Sequence, residues 1–311
     1  PTTAGLFGQN VLVTTTEGEF VLRGAPHWVK DLGDSEYRPE DRWQFTKETW
    51  FVRELREQTL TPVPWPFLHE ETSDIFGWPF IVMQRTPGFC FNERDILKTL
   101  DLDDRRGIAV ALGETLAETH RLTWPFAGDF DTTSIELAPY PEGTNTRRVK
   151  AEAHSMMKSA GANGALTNDD IGWVKAAMSR AFAAPERPNT YTHCDYKLNN
   201  LTVLKENGTW RVSGLFDFHE ARFGDGALDI VRQTCSYLDT EPQLARVFID
   251  AYRADVAEDP SMKMVMPLYV MNDRLKLWEY FTRPGARAGW TQQKTFRTWC
   301  ERYVAGVLAL L

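Results

Sequence analysis

His193-Cys194-Asp195-Tyr196-Lys197-Leu198-Asn199-Asn200 is the stretch on which the reading of this 311-residue chain turns. Thr190-Tyr191-Thr192 before it reads as extended, and Leu201-Thr202-Val203-Leu204 after it as a strand, so the polar run is a connecting loop. Asp195 is able to take a proton from an attacking hydroxyl. Asn200, five residues on, offers a neutral oxygen suited to a hard cation, and Lys197 a cation able to meet a phosphate. Glu206-Asn207-Gly208 is a hairpin turn, and Arg211 to Phe218 reads as the returning strand. The hairpin brings Asp217 back towards Asn200. A carboxylate and an amide oxygen together suit Mg²⁺, which takes few protein ligands beside phosphate oxygens and water.

Upstream the chain is mainly β. Asn10 to Thr16 and Phe20-Val21-Leu22-Arg23 read as strands around a Glu17-Gly18 turn. Gly24 to Pro39 reads as a loop. A helix is expected over Phe45 to Leu55, with Thr46 as its cap and Phe51, Val52 and Leu55 on one side. Thr61-Pro62-Val63-Pro64-Trp65-Pro66 ends it. Strands follow at Trp65 to Glu70 and Phe80 to Met83, and Thr86-Pro87-Gly88 breaks the chain. Beyond the break the pattern is helical: Ile108 to Leu122, Asp170 to Ala184 with Asn168 or Asp169 as cap, and Ala227 to the C-terminus. Asp129 to Gly143, rich in Pro and Thr, reads as loop. The expected fold is α+β and bilobal: a small antiparallel β lobe with one helix over 1–86, and a larger, mainly helical lobe over 87–311. Bilobal proteins place their ligand in the cleft.

Composition narrows the function. Apolar residues make up 42% and charged residues 25%, an ordinary globular balance. Asp and Glu outnumber Lys and Arg, 43 to 35, for a net charge of -8. That leaves no broad positive field for a nucleic-acid backbone. No apolar run is long enough to span a bilayer and PTTAGLFGQN does not read as a signal peptide, so a cytoplasmic location is expected. The four cysteines are too scattered for a metal site or a disulfide framework. The sequence leaves the oligomeric state open.

The ordered set H-x-D-x-K-x-x-N, hairpin, Phe216-Asp217, Gly224-Asp225 and Asp229 resembles the aminoglycoside phosphotransferase and choline kinase group of the protein-kinase-like fold. The resemblance runs from about residue 6 to about residue 235. It implies transfer of the γ-phosphoryl group of ATP, or GTP, with Mg²⁺, to a hydroxyl of a small molecule. It implies Asp195 and Lys197 as catalytic residues and Asn200 and Asp217 as metal ligands. Arg23 matches the strand cation that holds nucleotide phosphates. Glu48 matches its helix partner, with Glu54 as the alternative. Met83 borders the adenine pocket, and the Gln84 carbonyl and Thr86 amide read the base. Only Gly5 and Gly8 stand where a glycine-rich loop would be.

Asp225 and Asp229 resemble the group's structural acids behind the loop. Cys194 stands where a small residue, often Gly, is found, and His193 reads as structural. His120, on an apolar helix, reads as a satisfied core histidine. The surplus of acid points to a cationic, aminoglycoside-like acceptor, met by acids such as Glu220, Asp239, Glu241, Asp273 or Glu279. Choline-like, sugar and macrolide acceptors stay open. The alternative from another class is an idle nucleotide-binding scaffold, although Asp195, Asn200 and Asp217 are all in place.

Overall fold

Short-range turn chemistry starts the N-terminal sheet. β1 (Gln9–Thr15) and β2 (Gly18–Gly24) pair in antiparallel register, Thr15 opposite Gly18, around the expected turn. The computed structural model describes residues 9–24, 43–72, 74–90, 99–131, 133–256, 259–283 and 294–311. Gly5, Gly8 and the loop expected beyond Gly24 lie outside them. β3 (Phe67–Glu70) and β4 (Phe80–Gln84) complete a four-stranded antiparallel sheet in the order β1-β2-β4-β3. α1 (Trp43–Gln58) packs on it and buries Phe51, Val52 and Leu55, the face the periodicity predicts. Thr46 lies inside this helix and does not cap it. The helix starts at Trp43, three residues before the expected cap.

β5 (Phe89–Cys90) pairs with β9 (Leu201–Glu206), and β10 (Thr209–Leu215) lies on the other edge of β9. Asn207 and Gly208 turn this hairpin with φ of 50° and 82°. Two successive positive φ values match the twist of the strands, so an Asn-Gly pair is the natural choice. Gly88, at φ 93°, crosses against β9 so tightly that a Cβ there would lie 2.1 Å from the Val203 carbonyl oxygen. No larger residue fits that crossing.

The helical layer consists of α2 (Leu102–Thr119), α3 (Asn145–Ala162), α4 (Asn168–Phe182), α5 (Ala227–Thr240), α6 (Pro242–Ala254), α7 (Met262–Thr282) and α8 (Phe296–Leu310). Three sequence expectations change here. α2 starts six residues earlier than read from its apolar run, because the Asp101 side chain caps it by accepting from the Asp104 amide at 2.8 Å. Thr167, and neither Asn168 nor Asp169, caps α4, in a reciprocal box with Asp170.

The segment 129–143, read as loop, contains a hairpin: β6 (Gly128–Asp131) with β7 (Glu136–Pro139). Its tip is tied by Asp131, which accepts from the Thr133 and Ser134 amides at 2.8 Å each. Pro139 is tolerated because β7 is the edge of a sheet ordered β7-β6-β11-β8. Here β8 is Thr190–Thr192 and β11 is Arg222–Gly224. α3 carries little apolar signal; Val149, Ala153, Met157 and Ala160 supply its buried stripe.

A buried ionic hub joins β11, α3 and α7. Glu152 accepts from Arg222 at 2.5 and 3.4 Å, from Arg148 Nε at 3.1 Å and from Asn272 Nδ2 at 3.2 Å. Burial alone would raise its pKa, but Arg222 first, with Lys276 and Arg148, outweighs burial and holds the carboxyl down at about 2, from 4.5. A carboxyl depressed in the folded state stabilises above its unfolded pKa, and that stability is lost as pH falls towards the folded pKa. The span corresponds to about 3 kcal/mol. Glu152→Gln should therefore be less stable at neutral pH. The wild-type advantage in urea midpoint should shrink as pH drops from about 5 to about 2. A gap constant over that range would show that the carboxylate does not carry the hub.

Candidate active site

The loop after β8 is held from beneath by α5. Asp229, fully buried near the start of α5, accepts from the His193 and Cys194 amides at 2.7 Å each. Gln233, one turn on, accepts from the Leu198 amide at 2.9 Å. His193 Nε2 meets the Phe216 carbonyl at 2.8 Å and ties the loop to the end of β10. His193 is thus structural, as read. His120 is a satisfied core histidine, with Nδ1 at 3.0 Å from Tyr252 Oη and Nε2 at 3.4 Å from Asp229. Asp225 supports the same corner by accepting from the Ala227 amide at 2.9 Å and pairing with Arg187 at 2.8 Å.

Cys194 has φ 64°, the left-handed region, which costs a residue with a Cβ about 1–2 kcal/mol. That is the physical reason a glycine suits this position. Burial pushes the Cys194 thiol up to about 12, so it stays neutral. The turn at Cys194 presents Asp195. Lys197 Nζ donates to Asp195 Oδ2 at 2.6 Å, Asn200 Nδ2 to the same oxygen at 3.0 Å, and Arg232 Nε to Oδ1 at 2.9 Å. Burial would raise the Asp195 pKa; Arg232 first, then Lys197, outweigh it and hold the carboxyl below its usual range. Asp195 is therefore an ionised acceptor at neutral pH.

Asp217 comes back beside this loop as the hairpin predicts: the Phe216 amide donates to the Asn200 carbonyl at 3.0 Å. Its own φ is 67°, a left-handed kink that ends β10. Asp217 faces the N-terminal lobe, with Oδ1 3.7 Å from Arg23 Nη2. Arg23, from β2, pairs with Glu48 of α1 at 2.8 Å, and Glu48 also accepts from Gln44 at 3.0 Å. The partner of Arg23 is thus Glu48; Glu54 lies by Arg53 at 3.5 Å. Burial pushes the Glu48 pKa up; Arg23 opposes it and Asp217 adds to it. A second tie crosses the lobes at Lys47, 2.8 Å from Asp129.

Met83, Gln84 and Thr86 lie at the strand that leaves the N-terminal sheet. Met83 is buried in β4, opposite Val21 and Phe67. The Gln84 amide donates to the Pro66 carbonyl at 3.1 Å. Proline has no N–H to return that bond, so the Gln84 carbonyl receives none from Pro66. The Arg85 amide is taken by the Glu19 carbonyl at 3.0 Å. Thr86 Oγ1 sits 2.9 Å from Thr202 Oγ1, which joins the hinge to β9.

Arg232 was missed by the sequence reading, and its partner Asp273 was read only as one of the acids open to a cationic acceptor. The available signal was the spacing: Arg232 stands three residues after Asp229 and therefore on the same helix face.

A small antiparallel lobe over a helical lobe, with a polar loop, a hairpin acid and an Arg–Glu pair meeting between them, defines a protein-kinase-like fold. The model of the phosphotransferase enzyme family matches residues 3–264, and the chain belongs to that family. Solved structures share the fold at low identity. An APH(4)-Ia aminoglycoside phosphotransferase, in a ternary complex with ADP and hygromycin B, aligns with a TM-score of 0.62 at 15% identity, over 99% of this chain and 92% of that one. A Ralstonia eutropha JMP134 protein, provisionally classed as an aminoglycoside phosphotransferase, aligns at 0.61 with 13% identity, over 99% and 93%. The GDP complex of aminoglycoside 2'-phosphotransferase-IIIa aligns at 0.60 with 15% identity, over 99% and 91%. No curated protein sequence matches. Among the described residues, no helix is long and apolar enough to cross a membrane.

Asp229 is the support most exposed to test. Removing its carboxylate leaves two buried amides without a partner, at roughly 1–3 kcal/mol each. Asp229→Ala should lose about 2–5 kcal/mol in urea unfolding. Asp229→Asn, with one carbonyl oxygen for two amides, should also stay well below wild type. A wild-type midpoint in both variants would show that the loop is held by something else.

Proposed function

We propose that this protein transfers the γ-phosphoryl group of ATP or GTP to a hydroxyl of a small molecule. The observation that carries the reading is the convergence of Asp195, Asn200, Asp217 and the Arg23–Glu48 pair between the lobes. The nucleotide complexes of the structural relatives, with ADP and with GDP, support it. The lobes divide after residue 86, where the chain passes from β4 to β5.

The donor set fits Mg²⁺. Asn200 spends its amide nitrogen on Asp195 twice, on the carbonyl at 2.9 Å and on Oδ2 at 3.0 Å, and keeps Oδ1 for a cation. Asp217 supplies the carboxylate. Among the described residues no cluster of three or more His, Cys, Asp or Glu is built for a metal; the few protein ligands that Mg²⁺ takes are joined by phosphate oxygens and water. When bound, Mg²⁺ neutralises phosphate charge and orients the phosphates. Arg23, held by Glu48, contributes positive charge on the nucleotide side. Lys197, already at Asp195, is placed to meet the transferring group. The Gln84 carbonyl and the Thr86 amide read the base, with Met83 beneath it. Asp195 orients the acceptor hydroxyl and takes its proton as the new P–O bond forms, while the leaving nucleotide oxygen takes the electrons of the bond that breaks.

The acceptor has two readings. A cationic, aminoglycoside-like acceptor draws support from the net charge of -8 and from the hygromycin B complex of a relative. An uncharged or anionic acceptor is favoured by the ion pairs of the helical lobe. Glu220 meets Lys276 at 3.0 Å, Asp239 meets Arg302 at 2.5 Å, and Glu241 meets Arg105 at 3.3 Å. Asp273 is held by Arg232 and Arg274, and Glu279 by Arg283. Lys197 and Arg232 also flank Asp195 itself.

Asp195→Ala should fold and bind MgATP but lose about 10²–10⁴ in turnover in an ADP-release screen over amino-sugars, choline-like compounds, sugars and macrolides. Wild-type turnover in that variant, or no MgATP binding by the wild type, would reject the reading. Once an acceptor is found, its KM separates the charge readings. Exposed ion pairs are screened within about 10 Å at 0.1 M salt, so a cationic acceptor held by carboxylates should show a KM that rises with salt. A flat response selects the uncharged class, and the same rise with an acidic acceptor selects the anionic class.

A further inference from the structure

Three groups hold the carboxylate of Asp195, and one of them comes from outside the loop. Lys197 and Asn200, both within the loop, share Oδ2. Oδ1 is held by Arg232 Nε at 2.9 Å. Two bonds to one oxygen leave a carboxylate able to swing about that oxygen. A third bond to the other oxygen fixes its plane.

Arg232 is itself anchored. Its Nη1 lies 3.3 Å from Asp273 Oδ1 on α7. Asp273 Oδ2 in turn accepts from Arg274 Nε at 2.8 Å. Arg274 is buried, with its guanidinium 4.8 Å from the Tyr303 ring and 5.8 Å from the Trp299 ring of α8. The chain Asp195–Arg232–Asp273–Arg274 thus runs from the loop through α5 and α7 to the α8 aromatic surface. Gln233 and Asp229 fix the α5 backbone on either side of Arg232 by holding the loop amides. The guanidinium therefore starts from a rigid base.

We propose that Arg232 is a positioning residue for Asp195, that Asp273 acts through Arg232, and that together they set the plane in which Asp195 meets the acceptor hydroxyl. The inference rests on the phosphotransferase reading and adds to it a residue from α5 and one from α7. Arg232 acts through Asp195 and not on the nucleotide. Its loss should therefore lower turnover and leave nucleotide binding alone. A misplacement of about 1 Å at a reacting group is worth up to about 10² in rate.

The test uses the full chain with MgATP and water as acceptor, read by ADP release, with nucleotide affinity and thermal melting measured in parallel. Arg232→Met should lower kcat by about 10- to 100-fold with MgATP KM within about twofold of wild type. Arg232→Lys, which keeps the charge on a flexible stem, should recover part of kcat. Asp273→Asn should give a smaller loss that disappears in the Arg232→Met background, because residues acting in one chain are not additive. Should Arg232→Met fail to fold, Arg232→Gln and Asp273→Asn carry the same comparison.

Unchanged kcat in Arg232→Met, a loss matched by an equal rise in MgATP KM, or additive losses in the double variant would overturn the proposal. The two levels separate cleanly. A wild type that turns over MgATP, with Asp195→Ala inactive and Arg232→Met normal, rejects only the role of Arg232. A wild type that neither binds nor turns over MgATP rejects the phosphotransferase reading and this role with it.

Discussion

Two hydrogen bonds of 2.7 Å from the His193 and Cys194 amides to the buried carboxylate of Asp229 fix where the rest of the site lies. They pin the start of the polar loop to the start of α5. From there the left-handed turn at Cys194 aims Asp195, and His193 reaches across to the end of β10, where Asp217 emerges. A carboxylate in this setting is stable only because its oxygens are occupied. Asp229 has His120 at 3.4 Å besides the two amides. The same bonds that satisfy the acid therefore locate the loop.

Charge is managed by the same rule throughout the cleft. Three of its charges each stand between two of opposite sign. Arg23 stands between Glu48 and Asp217, Arg232 between Asp195 and Asp273, and Asp195 between Arg232 and Lys197. Alternation of this kind offsets the desolvation of each ion and restricts its geometry, since moving one member uncovers two others. It also keeps Asp195 ionised despite its burial, which a group that takes a proton from a hydroxyl requires. The Arg23–Glu48–Asp217 run joins strand, helix and hairpin end, so the cleft is polar from both lobes.

Legibility in the sequence followed the range of the interaction. The Asn207-Gly208 turn, the Gly18 turn and the α1 apolar face were readable because each depends on residues within a few positions of one another. The cap of α4 was misplaced by one or two residues because Thr167, Asn168 and Asp169 are all capping types, and the reciprocal bond from Asp170 chooses among them. The β6–β7 hairpin read as a loop because Pro139, Pro141 and Gly143 weigh against strand; its pairing is allowed by an Asx turn at Asp131 and by the edge position of Pro139.

By itself the sequence determined the order of parts: a polar loop between strands, a hairpin, an acid at its end, two more acids at the start of a helix, and a strand arginine ahead of a helix glutamate. Order is carried by local spacing, and spacing is written in the chain. Only the tertiary structure decided which charges meet. Glu48 and Glu54 are both on α1, and burial against β2 selects Glu48 for Arg23. Arg232 and Asp273 are 41 residues apart, and the packing of α5 on α7 brings them together over Asp195. The acids that composition alone made available to a ligand are engaged by arginines and lysines of other elements or, for Glu279, by Arg283 one turn on, because a half-buried carboxylate is stable where a cation can reach it.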